Sequence, residues 1–197
     1  IQYLKNDYKS ARANVIEFLD KADASTLKPE GNFLLGLLYT AEGNYEDAME
    51  EFQVVYEKYP NSKFAPEALF KSGECAELLG IVQPALQLYN RFVQTYPTHP
   101  LAISAYLRSG DLYRKEENWE EALKTYLKAK EVAQNNPLEE HVLIRLASCY
   151  EQLNKSEEAF QVYQDFINKF PQSQYTYEMK LKSGVYYLKA KRDSLKS

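Results

Sequence analysis

The sequence predicts an all-α solenoid: short amphipathic helices joined in pairs, each pair stacked on the next. Three observations carry this. Gly36, Gly73, Gly110, Ala147 and Gly184 recur at a fixed step of 37 residues. Ala11, Ala48, Ala85, Ala122 and Ala159 keep the same step, as do Val15, Phe52, Tyr89, Tyr126 and Tyr163. A register kept this strictly marks a repeat array, in which each unit stacks to bury an apolar face it cannot bury alone. No alternation of strand period competes with it.

The elements follow in order. Ile1 to Lys5 reads as the end of a first helix. Asp7 then caps a second, running to about Lys21 with Tyr8, Ala11, Val15 and Phe18 on its apolar face. Ala24 to Pro29 is a connector. The first full pair has a helix A over Glu30 to Ala41, ended by Gly43. Its helix B is capped by Asn44, carries Glu46 and Asp47 where the helix dipole favours them, and ends at Tyr59-Pro60. The second pair opens at Pro66, turns at Gly80 and resumes over Gln83 to Thr95. Pro84 then lies in a first turn, where its missing N–H costs little. The third runs from Leu101, turns at Glu117-Asn118 and continues from Trp119 to about Gln134. The fourth opens with Asn136-Pro137-Leu138-Glu139, which reads as N-cap, Pro at N1 and Glu at N3. Its second helix spans Ser156 to Phe170-Pro171. Ser173 or Gln174 begins a last helix reaching Arg192, followed by a polar tail. This sets full repeats at 29–62, 66–99, 103–136 and 140–173, with partial ones at 1–25 and 177–197, the last a partial repeat or capping helix.

The columns have a steric logic. Gly or Ala in the Gly36 column lets helices A and B approach closely, and the aromatics of the Phe52 column fill the space so created. Many of the tyrosines are read the same way, as core. Tyr39, Tyr113, Tyr150 and Tyr187 form one column and Tyr89, Tyr126 and Tyr163 another.

Composition narrows the function classes. A net charge of −4 and a pI near 5.4 argue against a polyanion-binding protein as a default. No apolar run approaches the roughly 18 residues a membrane span needs, and no signal peptide stands at the start. The sequence opens on Ile1, inside a repeat, as a mature fragment or trimmed chain would. Cys75 and Cys149 share a repeat position two repeats apart and are expected to be free, buried thiols. No CxxC, HxxxH or phosphate-binding Gly-rich loop occurs. His99 and His141 are isolated and read as structural or surface residues. No enzyme, cofactor or metal is expected.

Leu35-Gly36, Tyr39, Tyr45, Ala48, Phe52 and Pro60 resemble the tetratricopeptide repeat signature. So do Gly73, Ala85, Tyr89 and Pro97, then Gly110, Tyr113, Trp119, Ala122 and Tyr126, then Leu146-Ala147, Tyr150, Ala159, Tyr163 and Pro171. The step exceeds that family's 34, and Gln134 stands where Pro is expected. The resemblance implies a right-handed α–α superhelix and a non-enzymatic scaffold that binds a peptide or partner segment in its concave groove. Tyr59-Pro60-Asn61-Ser62 and Phe170-Pro171-Gln172-Ser173 further resemble the linkers of bacterial envelope repeat proteins, such as the Tol–Pal coordinator and the outer-membrane assembly lipoprotein. This implies a periplasmic or envelope-associated scaffold, with the cytoplasm as the alternative. His99 departs from that pattern.

In the family helix A lines the groove. Two residues before the Gly column stand Leu34, Lys71, Arg108, Arg145 and Lys182. The four basic residues either form a ladder for an acidic partner or pair locally, Glu67 with Lys71, Arg108 with Asp111 and Glu178 with Lys182. Arg145 has no acidic residue three or four positions away and is the best candidate contact. Phe70, Leu107, Asp111 and Ser148 share the expected face. The paired-carboxylate clamp of chaperone-binding arrays is absent, since Phe33 and Leu37 occupy its positions in the first full repeat. The alternative function is self-assembly, the incomplete end repeats stacking on another copy.

Overall fold

The structure is a computed structural model that describes residues 2–21 and 27–194. Its regular structure there is wholly helical. In chain order the helices are α1 (Gln2–Lys21), α2 (Lys28–Glu42), α3 (Tyr45–Lys58), α4 (Ala65–Leu78), α5 (Val82–Thr95), α6 (Ala102–Lys115), α7 (Trp119–Val132), α8 (Glu139–Gln152), α9 (Ser156–Lys169) and α10 (Thr176–Ser194). Two compact units divide within α6, after Ala105. In the first, α1 packs on α2, α2 on α3, α3 on α4 and α4 on α5. In the second, α7 packs on α8, α8 on α9 and α9 on α10.

Several helix starts differ from the sequence expectation. α1 runs unbroken through Asp7, which caps nothing there. α8 begins at Glu139 rather than just after Asn136. Asn136 instead closes a turn: its Oδ1 accepts the Leu138 N–H at 2.9 Å. Glu139 still reaches back, its Oε2 accepting the Asn135 N–H at 3.1 Å. Ser62, His99 and Ser173 act as Asn136 does, the four standing at successive steps of 37 residues. Their side chains accept the N–H of Phe64, Leu101 and Tyr175 at 3.2, 3.2 and 3.1 Å. An oxygen or imidazole nitrogen accepting two residues on is a local turn device. It explains why His99 can replace Ser, and why α10 starts at Thr176 instead of Ser173. Of the connector expected over Ala24 to Pro29, residues 24–26 lie outside the described residues, and Lys28 and Pro29 already belong to α2.

The turns inside each pair also repeat. Gly43, Gly80, Glu117 and Asn154 all adopt positive φ, at 82°, 73°, 57° and 56°. The backbone therefore demands a left-handed residue at this position whatever the side chain. Asn44 follows Gly43 without a side-chain cap bond, whereas the Asn118 side chain accepts from the Glu121 N–H at 3.4 Å.

The core is built from the columns. Ala48, Ala85, Ala122 and Ala159 are buried, and so are Phe52, Tyr89, Tyr126 and Tyr163. A Cβ on Gly36 would stand 2.6 Å from the Phe52 ring, and one on Gly73 would stand 2.7 Å from Tyr89. Gly110 meets Tyr126 at least as tightly. Tyr39, Tyr113 and Tyr150 are only half-buried and Tyr187 is exposed, so that second tyrosine column is not the core column expected. Cys75 and Cys149 are free and buried. Burial pushes the Cys149 thiol up to about 11 and raises that of Cys75 as well, which makes both poor nucleophiles near neutral pH.

Candidate functional site

The helix-A face of the second unit is organised by two carboxylates, each tying three helices together. Asp111 on α6 accepts from Tyr126 Oη on α7 at 2.7 Å. It also accepts from Arg145 on α8, through Nε at 2.9 and 3.0 Å and Nη2 at 2.9 Å. Glu151 on α8 accepts from Tyr163 Oη on α9 at 2.6 Å and from Lys182 Nζ on α10 at 2.9 and 3.2 Å. Each node joins a helix A, its own helix B and the next helix A. In the first unit Tyr89 Oη donates to Glu77 at 3.0 Å in the same sense.

Electrostatics follow from this geometry. Burial pushes the Asp111 carboxyl up, but the bonds from Arg145 and Tyr126 outweigh it and hold the group below its ordinary value. Burial alone lowers Lys182, yet Glu151 and Glu178 leave it raised. Tyr126 and Tyr163 are raised by burial and further by donating to a carboxylate. Every charge in the two nodes is paired. Each charge-assisted bond contributes on the order of 1–2 kcal/mol. The ion pairs stay part-exposed, with side chains at 30% and 29% for Arg145 and Asp111.

This changes the standing of the sequence-derived contacts. Arg145 is matched, its carboxylate coming from α6 where a search along its own helix could not find it. Lys71 pairs with Glu74 at 2.9 Å on its own helix, not with Glu67. Lys182 does meet Glu178, at 3.0 Å, besides Glu151. Arg108 is half-buried. Phe70 is buried against Tyr89 and Phe92, with ring centroids 5.6 Å away in both cases, and Leu107 is buried too. Both sit in the column that faces inward, as Phe33 does against Phe52, so they are core rather than contact residues. Ser148 is half-buried beside the Asp111–Arg145 node in sequence register.

Reading columns missed Glu151 because the two node carboxylates occupy different ones. Asp111 follows Gly110 by one residue, while Glu151 follows Ala147 by four. The available signal was the interval of 12 shared by Glu77–Tyr89 and Glu151–Tyr163.

Elsewhere the chemistry is as quiet. A 530 Å³ cleft by the third connector is lined by Lys130 and Lys169. Those lysines pair with Asp165 at 3.0 Å and Glu139 at 2.6 Å, so the cleft is not a free cationic site. Among the described residues no group of three His, Cys, Asp or Glu is placed to hold a metal. No described helix is long and apolar enough to cross a membrane.

Comparison with known proteins agrees with the helix pairing. Tetratricopeptide repeat family models match residues 30–62, 67–99 and 101–170. Among solved structures, a MamA protein superposes with a TM-score of 0.66 at 19% identity, covering 87% of each chain. A tetratricopeptide repeat protein from Parabacteroides merdae gives 0.66 at 20%, over 95% of this chain and 70% of that one. BtubC from P. vanneervenii gives 0.67 at 17%, over 85% and 74%. At these identities the likeness is one of fold. No curated protein sequence matches the chain.

Proposed function

The chain belongs to the tetratricopeptide repeat family, and from that premise we propose that it is a non-enzymatic scaffold taking a peptide or partner segment along the helix-A face of α6, α8 and α10. Repeats of this family generally mediate protein–protein interaction. The observation that supports the location is the pair of part-exposed charge nodes, Asp111–Arg145 and Glu151–Lys182, spaced one helix pair apart. An incoming acidic side chain meets the Nη1 edge of Arg145, which otherwise faces the His141 carbonyl at 3.4 Å. Its neighbour Ser148 accepts a polar backbone. Lys71 and Arg108 are the corresponding residues of the earlier repeats.

Arg145→Glu would break the fold's own node, so the test uses Ser148. A photo-crosslinking residue placed at Ser148 should capture a partner from lysate, and one at exposed Glu120 should not. Equal capture from both positions, or capture only from Glu120, contradicts this location.

A second function is self-assembly through the end helices, favoured by exposed Leu181, Val185 and Leu188 on α10. A mass that climbs with concentration would show it. An envelope location, with the cytoplasm as the alternative, has the Tyr59-Pro60-Asn61-Ser62 and Phe170-Pro171-Gln172-Ser173 connectors as its support.

A further inference from the structure

Two clefts occupy equivalent places in their repeats and differ in charge. Each lies between the start of a helix A and the end of the helix B that follows. One is the 530 Å³ cleft of α8 and α9. The other, at α2 and α3, holds 710 Å³ and is lined by Leu27, Glu30, Lys58, Tyr59, Lys63 and Phe64, among others. Lys58 and Lys169 share a column, as the last residues of α3 and α9. For Lys169 the chain supplies its own carboxylate. Glu139, the first residue of α8, is 5% exposed, and its Oε1 accepts from Lys169 Nζ at 2.6 Å. Its Oε2 accepts the Asn135 N–H, and Asp165 meets Lys169 as well, at 3.2 Å.

Three repeat steps earlier, Lys28 stands in place of Glu139 and Val54 in place of Asp165, while the lysine stays. Among the described residues Lys58 makes no hydrogen bond or ion pair, and its charge reaches Glu51, two turns back, without a bond. Lys63 lies over the Phe64 ring, 4.8 Å from its centroid. Glu30 is the one described acid lining the cleft, and Lys28 stands between the lining residues Leu27 and Pro29. A lysine at a helix end gains something from the helix dipole. Lys169 holds that same position and still draws two carboxylates. The α2–α3 cleft therefore has the cation without its acid, in a chain whose net charge is −4. Its apolar wall is Leu27, which is 50% exposed, with Tyr59 and Phe64.

We infer that this cleft docks an acidic segment of a partner protein. One glutamate carboxylate of the segment enters between Lys28 and Lys58, as Glu139 lies against Lys169, and an apolar neighbour rests on Leu27 and Tyr59. The chain's own instance has Leu138 just before Glu139, and the segment has the same order. The charge-assisted bond gives direction, and the apolar wall gives contact area. The cleft belongs to the first unit and shares no residue with the helix-A face proposed at Ser148.

The probe is a labelled peptide, Gly-Leu-Glu-Glu-Leu-Gly, acetylated and amidated, read by fluorescence anisotropy against the full chain. Saturable binding is expected, weakening as salt rises. Lys58→Glu, at an exposed site that leaves folding intact, should weaken it at least about tenfold. Lys128→Glu, the same charge change at an exposed site on α7, should leave it unchanged. Lys28→Glu should abolish binding while the melting temperature holds or rises, because it restores the internal pair of the α8–α9 cleft. The same peptide with Gln for Glu should not bind. No binding up to about 1 mM, equal binding of the Gln peptide, or equal weakening by Lys58→Glu and Lys128→Glu overturns the inference. Tighter binding in Asp23→Asn overturns it too, since the chain's own acid would then be the occupant. Concentration-dependent mass abolished by Lys58→Glu does the same for a second copy. Crosslinking from Ser148 reads a site in the other unit, so the two proposals fail separately.

Discussion

The α6–α7 pair and α10 share their columns, yet those columns meet different fates. Leu107, Gly110 and Asp111 correspond to Leu181, Gly184 and Val185. In the pair, leucine is buried, glycine lies under Tyr126, and the carboxylate holds Tyr126 and Arg145. In α10, leucine and valine are exposed and glycine faces open space. A small or apolar residue in a repeat is therefore a demand made by the helix that comes to lie on it. The helix that carries it does not need it.

Truncations should separate the two regions most strongly. Leu107→Ala should cost about 2–4 kcal/mol in denaturant melts, as buried leucines do, while Leu181→Ala stays within about 0.5 kcal/mol. Equal losses would mean that α10 is covered in solution. Asp111→Ala should cost about 2–3 kcal/mol, because it strands Arg145 and the Tyr126 hydroxyl together. Val185→Ala should again be near neutral.

The node also predicts a pH dependence. Asp111 titrates lower in the folded chain than in the unfolded one. Its contribution is complete above the unfolded value of about 3.9 and is lost as pH falls through the depressed folded value. Asp111→Asn should flatten stability against pH in that acid range. An unchanged acid slope would show that other carboxylates, such as Asp165, which is also held low, carry it instead.

The smallest expected effect sharpens the turn column. Glu117 takes the left-handed conformation that Gly43 and Gly80 take without strain. Glu117→Gly should raise stability by about 0.5–1 kcal/mol. Asn154→Gly should raise it less, since Asn tolerates that conformation. A loss at Glu117 would indicate an interaction of its side chain that outweighs the strain.

The helices and the tight Gly–aromatic contacts were legible because they rest on period and residue size, which a single chain displays. The start of α8 was not, because Asn136 can cap a helix or close a turn with the same oxygen. The site was harder. Phe70 and Leu107 share the face that the family resemblance opens to a partner, but Phe70 packs on Tyr89 and Phe92 of helix B and Leu107 is buried. Arg145 looked unpaired because its carboxylate lies 34 residues away, beyond the reach of any single-helix rule. The exposed stripe of α10 could not be separated from core, since the pattern is the same and only the covering helix differs.

The central claim is that the covering helix sets what the Gly column tolerates, and one pair of variants tests it most directly. Thermal melts of Gly110→Ala and Gly184→Ala should move in opposite directions. The first should lose about 1–2 kcal/mol through overpacking against Tyr126. The second should gain up to about 1 kcal/mol from helix propensity. Shifts of the same sign in both would contradict the account.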